Sequence, residues 1–361
     1  MIVINARFLT QDTSGVQRYA EQLCLALRPL RDDLLFVAPH GIRNQAAARA
    51  LQVQCIGRSK GHLWEQLDLP LFLRRQGSPL LLSVGSTGPM FYANQIATHH
   101  DITYVHYPQS YTWRFRAAYR SIMPVLLARV RTLITSSEFS RAEIAGFYGL
   151  PRERILVLPA AVNESFRPAA VNSATPYLLA VSSPNLHKNF QRMIQAFLAL
   201  RGHPQLQLHI VGAASSLFAD PDLQRLACRD PRIRFLGRLD DSELIAQYQG
   251  ATAFVFPSLY EGFGIPPLEA QACGCPVIAS GSASIPEVLQ DSALYFDPLD
   301  VAQMTAAMQR MLAEPELRHY LRQKGLANVA RFDWRHSAQR LARHLQHLPA
   351  VGAGQATVQN P

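Results

Sequence analysis

The stretch from Phe256 to Pro276, FPSLYEGFGIPPLEAQACGCP, holds the densest chemistry in the chain. Gly262 and Gly264 let the backbone approach a ligand closely, and Pro266-Pro267 presets φ at a helix start, so unpaired amides would face an anion. Glu261 and Glu269 flank that amide cluster. Two carboxylates around such amides suit a ligand with hydroxyls at both ends of a diphosphate, as in a nucleotide sugar. A turn followed by helix-capping acids fits the same letters.

Three other places could contribute. Lysine occurs only at Lys60, Lys188 and Lys324, so Lys188 in Leu186-His-Lys-Asn189 stands out in a chain whose positive charge is almost all arginine. His99-His100-Asp101 ends an apolar run, and neighbours on a strand face opposite ways, so at most one histidine points into a site. Gly15 precedes an amphipathic stretch, where a helix N-terminus could face phosphate. Cys273-Gly-Cys275 lacks a second ligand pair and His106 lies past the strand, so no metal site is assigned. Tyr111, Phe115 and Tyr119 recur at helical spacing beside Arg116 and Arg120, which fits either a helix resting on anionic lipid or a stripe packed into the core. Ser140-Arg-Ala-Glu143 reads as a helix-capping box.

The elements that must hold these residues alternate short apolar runs with amphipathic stretches, the pattern of α/β folds with parallel sheets. Strands are expected at residues 1–6, 34–38, 80–84, 95–99, 131–135 and 155–158. After a Pro, Asn, Ser and Ala-rich stretch near 162–176 the pattern restarts, with strands at 177–181, 206–211, 233–235, 252–256, 276–279 and 293–296. Helices are expected at 16–27, 190–200, 242–249, 267–273 and 301–313. The division predicted is residues 1–165 as a first Rossmann-like domain, 175–330 as a second, 331–348 as a helix crossing back to the first, and 349–361 as a disordered tail. Two doubly wound sheets facing each other create one deep cleft beyond their strand ends.

At 361 residues, 48% apolar and 17% charged, the chain has material for two cores and is neither disordered nor a repeat array. Residues 1–165 hold 18 basic and 11 acidic side chains, the remainder 17 and 15, so most of the formal +9 lies in the first half. Five scattered cysteines suit reduced thiols, and the start lacks a basic-then-apolar leader, which predicts a cytoplasmic protein.

The pair Glu261 and Glu269, with EGFGIPPLE between and including them, resembles the hallmark of the retaining GT-B glycosyltransferases of family four. That resemblance implies a fold of two Rossmann-like domains across a cleft. It also implies that Glu261 with Gly262, Phe263 and Gly264 holds the donor sugar and phosphates, and that Glu269 holds the ribose. The segment ending in Lys188 is similar to the one in which a lysine neutralises the donor diphosphate without a metal or other cofactor. The family's usual arginine near that lysine is replaced by Ser183 and His187, and Arg238 is the candidate to compensate. By the same resemblance Gly15 faces the diphosphate and acceptor, and His100 holds the transferred sugar, with Asp101 fixing the turn.

The resemblance further implies a metal-independent, retaining transfer of a mannose- or rhamnose-type sugar, GDP-linked, to a polyprenyl-diphosphate-linked surface polysaccharide. The basic first half would face the inner membrane peripherally, and nucleic acid is not an expected partner. The alternatives are a GT-B nucleotide-sugar epimerase and a non-catalytic GT-B partner in an assembly complex.

Overall fold

The computed structural model describes residues 1–169, 175–181, 185–212, 225, 227 and 230–348. Ser183 and the 349–361 tail therefore lie outside the described residues, as does Cys228; the other cysteines are free thiols.

Among the described residues the strands form two parallel sheets. The first contains β1 (Ile2–Asn5), β2 (Leu34–Ala38), β3 (Gln54–Cys55), β4 (Leu80–Ser83), β5 (Gln95–Thr98), β6 (Thr132–Thr135) and β7 (Ile155–Val157), in the order β3-β2-β1-β4-β5-β6-β7. The second contains β8 (Tyr177–Val181), β9 (Gln207–Val211), β10 (Ile233–Gly237), β11 (Ala253–Phe256), β12 (Val277–Ser280) and β13 (Ala293–Phe296), in the order β10-β9-β8-β11-β12-β13. Central strands such as Ile2–Asn5 and Ala253–Phe256 are buried at every position, as strands covered by helices on both faces must be. In register, Ile4 pairs with Phe36 and with Leu82. Each order reverses once, between β1 and β4 and between β8 and β11, which puts a crevice beyond the strand ends at each of those two points.

The helices that matter below are α1 (Gly15–Leu27), α2 (Gly61–Leu63 and Leu69–Arg75 joined by a π-helical turn, Trp64–Asp68), α3 (Trp113–Arg129), α4 (Glu138–Tyr148), α5 (Phe190–Ala199), α6 (Asp241–Gly250), α7 (Ile265–Ala272), α8 (Val301–Ala313), α9 (Pro315–Val329) and α10 (Trp334–His347). In α1, Tyr19, Leu23 and Leu27 are buried at four-residue spacing and form its packing face. Opposite them lies α10, which buries Trp334, Ala338, Leu341 and Leu345. Tyr19 meets the Trp334 ring edge-on at 5.4 Å, and His344 Nε2 lies 2.8 Å from Thr132 Oγ1, so the last helix lies on the first sheet's layer.

Two local expectations are corrected. The cap of α4 is Ser137, whose Oγ accepts from the Ser140 amide; Ser140 itself lies inside the helix and is buried. A capping box does occur, at Asp240 and Glu243. Helix α7 starts two residues early, after Gly264 in the left-handed region, which puts Glu269 in its second turn.

Candidate active site

The crevice between β8 and β11 receives the loops that follow those strands. After β8, Leu186–Lys188 makes a 3₁₀ turn and Asn189 takes a positive φ of 59° before α5. The Asn189 side-chain amide donates to the carbonyls of Pro257 (3.1 Å) and Pro298 (2.7 Å), which ties that turn to the loop after β11. Lys188 is thereby aimed at Glu261: its Nζ lies 2.7 and 2.9 Å from the two carboxylate oxygens. Both side chains are largely buried, so the ammonium is oriented and only partly hydrated.

The loop bearing Glu261 is pressed against the ends of the first sheet. The Gly262 carbonyl accepts from Ser137 Oγ (2.6 Å) at the cap of α4 and from Ser140 Oγ (3.0 Å) in its first turn. A Cβ on Gly262 would lie 2.8 Å from both the His100 carbonyl oxygen and Asp101 Cβ. Gly264 has φ +92°, which disfavours any other residue there. Phe263 turns away from the crevice and meets Phe332 at 5.5 Å, so only its backbone faces the site side.

Glu269 is buried at the start of the neighbouring face. Tyr248 Oη donates to its Oε2 (3.1 Å), and Arg18 Nη1 approaches its Oε1 (3.5 Å). Burial raises the Glu269 pKa, and Arg18 with Tyr248 opposes that rise. Arg18 sits in the first turn of α1 and also donates to Asp241 (2.7 Å), so it spans the cleft from the first sheet's side. Sequence reading gave Arg18 no role; its position one turn beyond Gly15 was the available signal. Arg238 is exposed beyond β10. Gly15 begins α1 with nothing within 4 Å of an added Cβ, so packing does not demand glycine there and the space before the helix is open.

The two adjacent histidines face opposite ways. His99 is buried beside Tyr104, whose Oη lies 3.3 Å from its Nε2. His100 meets Tyr19 edge-on at 4.7 Å, and its buried Nε2 has no hydrogen-bond partner in the structure. Asp101 accepts from the Thr103 amide (2.8 Å) and hydroxyl (2.6 Å), which fixes the turn. His106 is 2.6 Å from Glu143. Among the described residues no three His, Cys, Asp or Glu side chains converge as a metal site. The half-buried aromatics Phe115 and Tyr119 of α3 and Tyr111 just before it form a column: Tyr119 stacks on Phe115 (4.1 Å), Phe115 on Tyr111 (4.9 Å), and Tyr111 runs parallel to His187 (6.4 Å) beside Lys188.

Against known proteins, residues 162–327 match the family described as glycosyl transferases group 1, and residues 13–166 match glycosyltransferase family 4. The O-antigen chain mannosyltransferase B of Escherichia coli is 31% identical over 267 residues, which cover 68% of this chain and 70% of that protein. The chain belongs to the family 4 glycosyltransferases. The serotype-specific mannosyltransferase WbdA of E. coli is 29% identical over 254 residues, covering 63% of this chain, which spans only 31% of WbdA. Alr3699/HepE of Anabaena, solved in complex with UDP-glucose, has a TM-score of 0.72 at 16% identity and covers 96% of this chain and 99% of that one. The architecture is GT-B.

In this glycosyltransferase the cleft histidines make stability depend on pH. Burial, reinforced by Lys188, pushes the His187 imidazole down to about 4, with Glu261 and Asp101 opposing. Burial also lowers His99 and His100, with Asp101 opposing. As pH falls through the unfolded value of 6.5 the unfolded chain takes up protons that the folded chain refuses until about 4, so stability is lost on that descent. At about 1.4 kcal/mol per pKa unit, His187 alone accounts for roughly 3 kcal/mol. Urea midpoints should fall steadily across this window; a flat profile contradicts the burial of these rings.

Proposed function

We propose that the chain moves a hexose or deoxyhexose of mannose or rhamnose type from a nucleotide diphosphate sugar, GDP-linked, to a lipid-linked surface polysaccharide, with retention and without a metal. The observation that carries this reading is Lys188 held on Glu261 in the crevice of the second sheet, with the His100–Asp101 turn of the first sheet against Gly262. The mannosyl preference rests on the O-antigen relatives.

As the anomeric carbon–oxygen bond breaks, negative charge grows on the departing diphosphate. Lys188 and the amides from Gly262 to Gly264 are fixed donors for that charge, and Glu269 takes the ribose hydroxyls. The acceptor hydroxyl attacks on the face the phosphate leaves and gives its proton to a phosphate oxygen. Glu261 and the neutral His100 orient the sugar and form no covalent bond. The test is a panel of GDP- and UDP-sugars with a polyprenyl-diphosphate glycan, read by product mass and by the anomeric coupling of the new linkage. A mannosylated or rhamnosylated lipid with the donor's configuration is expected. Free epimerised sugar, inversion, or no transfer overturns the reading.

No helix among the described residues is long and apolar enough to cross a membrane. The reading places the enzyme peripherally on anionic lipid through α2, whose Leu63, Leu67 and Leu71 are 59%, 52% and 50% exposed and are followed by exposed Arg74 and Arg75. Phe91, 73% exposed under the Arg129 guanidinium, lies on the loop that Gln66 ties to α2 through Gly88 and Met90. Leu67→Glu should reduce co-sedimentation with phosphatidylglycerol vesicles about tenfold or more while leaving the urea midpoint unchanged. Equal sedimentation of both proteins contradicts the assignment.

A further inference from the structure

The crevice of the second sheet is filled by Lys188 and Glu261. Its counterpart in the first sheet, between β1 and β4, holds a second charged cluster that the transfer chemistry leaves unused. Asn5 ends β1 and Arg7 follows it, Ser83 ends β4 and Thr87 follows it, and Glu65 enters between them from the π-helical turn of α2. Four polar groups surround the Glu65 carboxylate. Oε1 accepts from Asn5 Nδ2 (2.8 Å) and lies 2.9 Å from Arg7 Nε in an ion pair; Oε2 accepts from Thr87 Oγ1 (2.8 Å) and lies 3.1 Å from His62 Nδ1. Arg7 also donates to Thr87 (2.8 Å).

Burial would raise the Glu65 pKa, but Arg7 foremost, then His62 and Asn5, outweigh it and lower it to about 2. Glu65 is therefore an acceptor at any working pH, and His62 must donate through Nδ1. In the neutral imidazole this leaves Nε2 as a bare acceptor. Glu65 is 1% exposed and Arg7 7%, whereas His62 is 48% exposed. An arginine–glutamate pair would suffice to tie α2 to the sheet. The His62 contact on the carboxylate instead fixes the tautomer of a half-exposed ring, and it does so from a π-turn, a feature concentrated at functional sites.

Burial raises the Tyr119 hydroxyl, with Arg7 opposing and Glu65 and Asp101 reinforcing, and the aromatic column from Tyr119 continues to His187 beside Lys188. His62 is also next to Leu63 of the face assigned above to lipid.

We propose that His62 is a binding residue for the acceptor glycan: Nε2 of its half-exposed ring, held through Nδ1 by Glu65, accepts a hydrogen bond from a saccharide hydroxyl and positions the chain that receives the sugar. This rests on the glycosyl-transfer reading and adds an acceptor subsite to it. The probe is octyl α-mannopyranoside with saturating GDP-mannose, using the full chain. His62→Ala should raise the acceptor KM about tenfold, the scale of one lost hydrogen bond in a partly dry site, with kcat changed less than about threefold. Calorimetric GDP affinity should stay unchanged, and His62→Gln, which keeps an acceptor atom, should recover most of the KM. An unchanged acceptor KM in His62→Ala overturns the proposal. If the wild-type chain binds GDP but does not glycosylate this probe, the wider reading has failed and the His62 ring C–H resonance decides the subsite. A shift on adding the glycoside supports it, and a resonance that stays put overturns it.

Discussion

Lys188→Ala should lower kcat for sugar transfer by about 10³-fold, with the urea midpoint close to wild type. The ammonium contacts both carboxylate oxygens of Glu261 in the crevice, at 2.7 and 2.9 Å. A bound diphosphate would exchange for that carboxylate as its partner, so the charge meets the leaving group as the glycosidic bond opens. A pre-aimed donor in a partly dry site contributes more to the transition state than to the ground state, so the loss belongs mainly in kcat. The fold should survive, because the turn is held by Asn189 through Pro257 and Pro298 and not by the lysine. Lys188→Ala activity within threefold of wild type would remove the lysine from the chemistry.

Gly262→Ala should cost about 10²-fold in kcat/KM, by a steric route. Its new Cβ would lie 2.8 Å from the His100 carbonyl and 2.8 Å from Asp101 Cβ, neither of which is the far end of a flexible side chain. The three serine hydroxyls around the Gly262 carbonyl oppose a shift of the loop itself. The strain is relieved by parting the two edges, which moves His100 away from Glu261. Gly15→Ala is the contrasting variant: a Cβ there meets nothing within 4 Å, so stability should be unaffected and any loss should appear as weaker donor binding. Equal kinetics for Gly262→Ala and wild type would show that the two edges do not need to meet.

The strands were legible because buried parallel strands are short apolar runs, and only β3, two exposed residues at Gln54–Cys55, left no such trace. Helix α9 escaped because charged and polar residues interrupt its apolar face, which buries Leu321 and packs at Gly325 against Gln271. Helix α2 escaped because its π-turn breaks the 3.6-residue period. Among the candidate site residues, Glu261 and Glu269 stand out by flanking an amide cluster and by the family resemblance, and Lys188 by the scarcity of lysine and that same resemblance. Arg18 lies one turn beyond Gly15, but its pairing was hidden, since its acidic partners Asp241 and Glu269 are 223 and 251 positions away. Glu65 was hidden for the same reason: Asn5 and Thr87 become its neighbours only when β1 and β4 pair. The stripe at Tyr111, Phe115 and Tyr119 was visible as a pattern, but its direction was decided by Tyr104 and His187.

The most direct measurement is the structure of the full chain crystallised with GDP-mannose. The diphosphate should contact Lys188 Nζ and the amides between Gly262 and Gly264, with the ribose on Glu269 and the sugar between Glu261 and His100. A nucleotide bound outside this crevice, with Lys188 still closed on Glu261, would contradict the account.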